Sequence, residues 1–208
     1  MNRIKLGDIE KYIDDSFKLT TGTEVSIYKY IDSKVLKIFN DESKSALCRL
    51  NEEGIIRLNE LDLKTFNKPD DIVLDGLNIR GYTQKYLEET ELDKNKIDFI
   101  AIKDDIKLLS ENGFRLENIY YNYIPTDDGL YFADLTCLSY SKVVNSKLKD
   151  MYFKKNTETI NKFLIGLLEF NRYRKDELTK LNQYCIDNHI DGFYGDYLDD
   201  NNQLKKCF

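Results

Sequence analysis

Residues 113–138 read GFRLENIYYNYIPTDDGLYFADLTCL, and this stretch contains two β-type runs on either side of a turn. The runs are residues 119–124 and 130–133, and the turn between them includes Asp128 and Gly129. An Asp-Gly pair suits a hairpin turn because such turns need residues with positive φ. The stretch therefore predicts a β-hairpin.

Polar side chains occur where the hairpin can present them at one of its ends. Glu117 and Asn122 come before and on the first strand, and Asp134 follows the second strand. Carboxylate and amide oxygens are ligands that suit Mg²⁺, which completes its shell with water and phosphate. A surface hairpin with polar side chains in water has the same pattern, so the stretch alone leaves both interpretations open.

Composition narrows the class of protein. The chain has 208 residues, enough for one domain or for two small lobes that share a cleft, and 41% of them are hydrophobic. The net charge of -6 argues against a general nucleic-acid binder. Because the N-terminus lacks an apolar leader and no run approaches about 18 apolar residues, we expect a cytoplasmic protein without a membrane segment. The widely spaced cysteines predict neither a zinc site nor a disulfide framework.

Apolar periodicity divides the chain into a β-rich part followed by a mostly helical part. Strands are predicted near residues 25–30, 34–39, 72–74 and 79–86, and helices near residues 9–17, 43–61, 94–112, 157–170 and 178–185. Asp32-Ser33 and Asp75-Gly76 supply turns, and Gly113 suits the C-cap of its helix. We place a lobe boundary near residue 88.

Lys37 lies inside a predicted strand, and two acidic residues follow on a predicted helix. Lys37 is either a solvent-facing lysine on an edge strand or a point charge held on a rigid strand and directed at phosphate. Glu52 and Glu53 either form part of a solvated face or place one carboxylate beside Lys37.

Taken in order, these parts resemble the protein-kinase-like fold in a small bacterial or phage-like form, over residues 19–170. The segment GTEVSIYK, which begins at Gly22, resembles a reduced glycine-rich loop. The segment VLKI around Lys37 resembles the third-strand motif, which implies that Lys37 binds the α- and β-phosphates. The segment LNEE resembles the family's inserted helix, and it implies Glu52 as the first choice and Glu53 as the second for the partner of Lys37.

The resemblance continues into the second half of the chain. The segment QKYL, which begins at Gln84 and includes Lys85 and Tyr86, occupies the position of the hinge, whose backbone groups take the adenine edge. The segment RLENIYYN resembles the catalytic loop, with Glu117 at the position of the acid and Asn122 at that of the asparagine. The segment DLT resembles Asp-Phe-Gly, which implies Asp134 as the Mg²⁺ ligand and Asn122 as its helper.

Several residues depart from the family pattern. Glu117 is one methylene longer than the expected aspartate, Leu116 replaces an arginine, and Thr136 replaces a glycine. No Ala-Pro-Glu follows Asp134. A shift of about 1 Å at a reacting group can cost on the order of 100-fold in rate, so these departures predict weak or atypical activity.

The resemblance implies an α+β fold of two lobes, a β-rich N-lobe over residues 1–88 and a mostly helical C-lobe over residues 89–208. It implies a phosphotransferase that binds ATP and Mg²⁺ and transfers the γ-phosphoryl group to a hydroxyl of a protein, of a small molecule or of the chain itself. The alternative is a pseudokinase that acts as a non-catalytic binding or scaffolding module. A third possibility is an unrelated α+β protein with Tyr-rich binding faces, which a Lys37 exposed to solvent far from Asp134 would favour.

Overall fold

The computed structural model describes residues 1–22, 24–40, 50–93, 96–117, 119, 122–142 and 145–170. This part of the chain is α+β, with a mixed six-stranded sheet, two two-stranded sheets and four α-helices. The predicted helix near residues 178–185 lies outside the described residues.

The described residues form ten β-strands, four α-helices and two 3₁₀ turns. The strands are β1 (Arg3–Lys5), β2 (Lys18–Thr21), β3 (Val25–Lys29), β4 (Lys34–Phe39), β5 (Pro69–Asp75), β6 (Asn78–Lys85), β7 (Phe114–Leu116), β8 (Tyr123–Thr126), β9 (Gly129–Phe132) and β10 (Leu138–Tyr140). The helices are α1 (Leu6–Ile9), α2 (Glu52–Glu60), α3 (Phe99–Glu111) and α4 (Ser146–Phe170), with 3₁₀ turns at Glu10–Tyr12 and Leu135–Cys137. Among the described helices, none combines the length and the apolar character that a membrane crossing requires.

The six-stranded sheet has the order β1-β5-β6-β4-β3-β2. Its neighbours are antiparallel except β1 and β5, which are parallel. β4 therefore lies between two other strands, with Lys37 opposite Ile27 on β3 and opposite Tyr82 on β6. The interpretation of Lys37 as a residue of an edge strand is wrong.

The two faces of the sheet are covered by different parts of the chain. Leu36 and Ile38 face a small cluster in which Ile9 and its neighbours pack on the sheet. Phe39 and Tyr82 face the main buried cluster, which also contains residues of α2, α3, α4 and the two small sheets. Because this cluster contains residues from both sides of residue 88, the division into two lobes stays a prediction.

The helix predicted over residues 9–17 is wrong. The chain forms α1 over Leu6–Ile9 and a 3₁₀ turn over Glu10–Tyr12 instead. The carboxylate of Asp14 accepts the backbone N–H of Ser16 at 2.9 Å, and the Asp14 carbonyl accepts the N–H of Phe17 at 3.0 Å. A short side chain that bonds its own backbone in this way stabilises a turn and competes with a helix.

The other described helices agree with their predicted periodicity but differ in where they begin: α2 and α3 begin later than predicted, and α4 begins at Ser146, before the predicted start at residue 157. α2 lies within the range predicted as helix, residues 43–61, and Asn51 caps its start by accepting the N–H of Gly54 at 2.9 Å. α3 begins after Asp98, whose side chain accepts the N–H of Ala101. Gly113 follows the end of α3 with φ +86°, a left-handed conformation that glycine adopts without strain.

The turns and the hairpin are formed near their predicted places. Asp32 and Ser33 have φ values of 53° and 56°, and Gly76 has a φ of 60°. In the hairpin, Tyr123 pairs with Phe132 and Thr126 pairs with Gly129, so the first strand starts four residues after the predicted start. The prediction of a hairpin is therefore confirmed, but its strands occupy different residues from those predicted.

Candidate functional site

A buried lysine joins the large sheet to the end of the β8–β9 hairpin. Lys37 is 5% exposed, and its Nζ donates a hydrogen bond to the carbonyl oxygen of Ala133 at 2.7 Å. Ala133 follows β9 and directly precedes Asp134. The fold thus brings together two groups that lie 96 positions apart in the chain. Lys37 does not face solvent.

Two side chains of β6 hold the same end of the hairpin. Tyr82 donates its hydroxyl to Oδ1 of Asp134 at 3.4 Å, and its ring centroid lies 5.7 Å from Nζ of Lys37. Gln84 donates from Nε2 to the Ala133 carbonyl at 3.2 Å. Oε1 of Gln84 is buried and has no hydrogen-bond partner in the described part of the chain. We call Lys37, Tyr82, Gln84, Ala133 and Asp134 the lysine cluster.

Asp134 acts electrostatically on the buried groups around it. Burial lowers the pKa of Lys37, and the negative charge of Asp134 partly offsets this effect. Burial, followed by the charge of Asp134, raises the pKa of Tyr82 well above its usual range. Burial also raises the pKa of the Cys137 thiol. The cluster therefore favours the thiol and the phenol in their neutral forms.

The backbone carbonyl of Asp134 is hydrogen-bonded within the 3₁₀ turn that follows it. The N–H of Cys137 donates to the Asp134 carbonyl at 3.4 Å, and Sγ of Cys137 donates to the same oxygen at 2.7 Å. The carbonyl of Asp134 therefore bonds to the turn, whereas its carboxylate accepts the hydroxyl of Tyr82.

Asn122 lies at the same end of the hairpin. Its carbonyl accepts the N–H of Ala133 at 3.0 Å, and its N–H donates to the Ile119 carbonyl at 3.1 Å. The hairpin therefore places Asn122 beside the residue that precedes Asp134, as the sequence pattern led us to expect.

The expected pairing of Lys37 with an acidic residue of α2 does not form. Glu52 makes an ion pair with Arg3 at 2.7 Å, and Glu53 makes one with Lys142 at 3.0 Å. Asn51 caps the helix, so both glutamates lie in its first turn, and the buried positions of α2 are Gly54, Ile55 and Leu58. The side of α2 that packs on the core is therefore apolar.

Glu117 is held on the small β7–β10 sheet. Its carboxylate accepts the guanidinium of Arg115 at 2.6 Å and the hydroxyl of Ser139 at 2.8 Å. Its N–H donates to the Cys137 carbonyl at 2.8 Å. The backbone bond holds Glu117 close to Cys137, three residues after Asp134. The two side-chain bonds occupy both oxygens of the Glu117 carboxylate.

Gly22 lies between β2 and β3, where its N–H donates to the Val25 carbonyl at 2.8 Å. Its own carbonyl accepts Nδ2 of Asn40 at 2.9 Å. A Cβ at Gly22 would lie 3.3 Å from the Val25 carbonyl oxygen, so a side chain there requires the Val25 backbone to shift slightly.

Lys85 is the last residue of β6, and Tyr86 begins the segment that leads to α3. Tyr86 is 47% exposed, and its N–H donates to the Ser33 carbonyl at 2.8 Å. Together with Glu88, Asp127, Asp128 and four further residues, Lys85 and Tyr86 line a surface pocket of about 210 Å³ at the tip of the hairpin. The lining of this pocket does not include Lys37 or Asp134.

Asp134 and Asn122 are the oxygen donors near the lysine cluster that could serve as ligands of a cation. Within the described ranges, no group of three or more His, Cys, Asp or Glu side chains is arranged to hold a metal ion. Mg²⁺ in nucleotide sites is held by one or two protein ligands and completes its shell with phosphate and water. Asp134 and Asn122 together supply one carboxylate and one amide, which is the number of protein ligands that such a site uses.

Sequence reasoning did not single out Tyr82, and it assigned Gln84 to the hinge instead of to a position beside Lys37. Their alternation along β6 marks them as residues of one face, but their position beside Lys37 and Val35 depends on the β4–β6 register. Register between strands that are distant in sequence is set by the whole sheet.

Comparison with known proteins gives no family. No known protein-family model matches the chain, and no curated protein matches it.

Proposed function

We propose that the chain is a kinase-like phosphotransferase that binds ATP with Mg²⁺ at the lysine cluster. It transfers the γ-phosphoryl group to a hydroxyl acceptor with weak or atypical efficiency. Lys37 positions the phosphates, and Asp134 with Asn122 holds the metal ion. Glu117 orients the acceptor hydroxyl, Gly22 lies in the turn that covers the phosphates, and the backbone at Lys85 and Tyr86 takes the base edge.

The contact between Lys37 and Ala133 is the observation that carries this proposal. It sets a buried cation directly beside Asp134, with the β8–β9 hairpin between Asn122 and Asp134. Lys37 lies on the third strand of the antiparallel succession β2, β3 and β4, as a phosphate-binding lysine of this kind does. A strand lysine, a hairpin asparagine and a following aspartate in this order support a site for a nucleotide with its metal ion.

Two arrangements support low efficiency. α2 brings no carboxylate to Lys37, whereas efficient kinases need a lysine–glutamate ion pair in place. The carboxylate of Glu117 already accepts hydrogen bonds from Arg115 and Ser139. An acceptor hydroxyl has to compete with these two donors for Glu117.

The same two observations favour a second candidate function, a pseudokinase that binds nucleotide or a protein partner without catalysis. The lysine cluster then acts as a structural link between the sheet and the hairpin. The two candidates differ in one measurable property, which is transfer of the terminal phosphate.

Nucleotide binding is tested by thermal unfolding of the pure protein with and without millimolar Mg²⁺-ATP. A ligand at about 100 times its Kd stabilises the native state by about 2.7 kcal/mol, so we expect a clear rise in Tm. The rise should vanish in Asp134→Ala and on removal of Mg²⁺ by chelation. Asp62→Ala, which removes an exposed carboxylate outside the cluster, is the matched control and should keep the rise.

A wild-type protein whose Tm does not respond to Mg²⁺-ATP contradicts both nucleotide-binding candidates. If the response is present, transfer of labelled γ-phosphate to the chain or to added hydroxyl acceptors separates them. Transfer that is lost in Lys37→Met supports the phosphotransferase, and binding without transfer supports the pseudokinase.

A further inference from the structure

The carbonyl of Ala133 accepts two side-chain donors from two different strands. Lys37 on β4 donates at 2.7 Å, and Gln84 on β6 donates at 3.2 Å. Ala133, Lys37 and Gln84 are each at most 5% exposed. A carbonyl oxygen has two lone pairs, so it can keep one donor when the other leaves.

This inference rests on the proposed function, under which Lys37 has to reach a phosphate group. In the structure, the Lys37 ammonium donates to Ala133 and the side chain is only 5% exposed, so the proposed function requires the ammonium to move away from that carbonyl to reach a phosphate. A buried carbonyl that loses its only donor carries the full cost of its desolvation. The exchange is therefore easier if another donor remains on Ala133.

β6 holds the hairpin end without help from Lys37. Tyr82 donates to Asp134, and Gln84, two residues along the same face of the strand, donates to Ala133. Two residues on one face of β6, Tyr82 and Gln84, thus bond to two consecutive residues after the hairpin. Departure of Lys37 leaves both of these bonds in place.

We propose that Gln84 is a positioning residue that makes Lys37 available to phosphate. It keeps the Ala133 carbonyl hydrogen-bonded when the Lys37 ammonium turns from that carbonyl to a phosphate oxygen. Ala133 is the resting partner of Lys37, and Gln84 acts through Ala133 without touching the nucleotide phosphates.

The sharing of one carbonyl is tested without nucleotide by a double-mutant cycle of Lys37→Met and Gln84→Met. Each single variant leaves one donor on Ala133, whereas the double variant leaves none. We expect the double variant to raise the unfolding equilibrium constant by about 10-fold more than the product of the single effects. Additive effects overturn the proposal.

The matched control cycle pairs Lys37→Met with Thr83→Val. Thr83 is a buried neighbour of Gln84 that donates to Asp71 on the opposite face of the sheet, so this pair should be additive. If the double variant of the test cycle does not fold, the ¹³C shift of the Ala133 carbonyl in Gln84→Met replaces the cycle. An unchanged shift overturns the proposal.

The consequence for the ligand is tested by titrating Mg²⁺-ATP into the wild type, Gln84→Met and Thr83→Val. Loss of one hydrogen bond to a buried group predicts binding weaker by about 10-fold in Gln84→Met and unchanged binding in Thr83→Val. Equal affinity of the wild type and Gln84→Met overturns the role of Gln84.

The two proposals fail in different ways. A wild type that binds no Mg²⁺-ATP overturns the proposed function and the role of Gln84 together, whatever the cycle shows. Additive effects in the test cycle, with Mg²⁺-ATP binding intact, overturn the role of Gln84 alone.

Discussion

At the scale of single residues, Asp71 shows how a buried carboxylate is stabilised. It accepts hydrogen bonds from the N–H and Nδ2 of Asn2 at 3.1 and 2.8 Å, and from the hydroxyl of Thr83 at 3.1 Å. Lys34 lies 3.5 Å away. Burial acts to raise the pKa of Asp71, but these hydrogen bonds and the charge of Lys34 outweigh burial and lower it.

The lowered pKa predicts a stability that depends on pH. Because the folded-state pKa lies below the unfolded value of about 3.9, the ionised carboxylate stabilises the fold above that value, and the contribution is lost as the pH falls through the folded-state pKa. At neutral pH, Asp71→Asn should lower the free energy of unfolding by about 2 kcal/mol. In denaturant titrations, the difference from the wild type should shrink in acid.

The neighbouring Asp70 provides the control. Its side chain is 39% exposed and pairs with Lys34 at 3.2 Å, so Asp70→Asn should change the free energy of unfolding by at most about 1 kcal/mol. Equal effects of the two substitutions at neutral pH would mean that the buried hydrogen bonds of Asp71 do not stabilise the fold.

At the scale of elements, β4 and β6 approach each other closely at Gly81. Gly81 lies opposite Ile38, and an added Cβ would lie 2.1 Å from the carbonyl oxygen of Lys37. Since that contact is with backbone, it is relieved only by moving β6 away from β4. The carbonyl that the added Cβ would meet belongs to Lys37, the central residue of the proposed site.

Gly81→Ala should therefore lower the free energy of unfolding by about 3 kcal/mol, near the upper end for overpacking of a well-packed interior. Chemical denaturation measures this loss. Gly7→Ala in α1 is the matched control, because an added Cβ there meets nothing within 4 Å. A Gly81→Ala protein as stable as Gly7→Ala would contradict the close approach of the two strands.

At the scale of the whole molecule, the first thirteen residues cover the outer face of the sheet. Ile9 is 2% exposed and belongs to a cluster with Tyr28, Leu36, Ile38 and Val73. β1 joins this segment to β5, and Arg3 joins it to Glu52 of α2. The segment therefore buries apolar surface that the sheet would otherwise expose to water.

Truncation of Ile9 tests whether this cover stabilises the fold. Ile9→Ala should lower the free energy of unfolding by about 3 kcal/mol through lost burial and the cavity left behind. Leu77, which is 98% exposed at the β5–β6 turn, supplies a control of similar size, and Leu77→Ala should be nearly neutral. Similar Tm values for Ile9→Ala and the wild type would show that the segment adds little stability.

Local pattern in the sequence predicts several features of this protein. The strand predicted over residues 34–39, after the Asp32-Ser33 turn, is β4, and positive φ explains Asp32-Ser33, Gly76 and Gly113 as turn or cap residues. The helix over residues 9–17 is wrong because the Asp14 side chain stabilises a turn, a competition that apolar spacing does not reveal. The predicted pairing of Glu52 with Lys37 is wrong because α2 turns Ile55 and Leu58 toward the core, whereas Glu52 pairs with Arg3.

What the sequence determined by itself depends on neighbours in the chain: strand alternation, helix caps, the hairpin and the order of Lys37, Asn122 and Asp134. Tertiary structure alone decided that Lys37 is buried on a central strand, that it donates to Ala133, and that Tyr82 and Gln84 join it. These contacts depend on the register between β4 and β6 and on packing between groups 96 positions apart. Local pattern does not specify either one, because both are set by the free energy of the whole core.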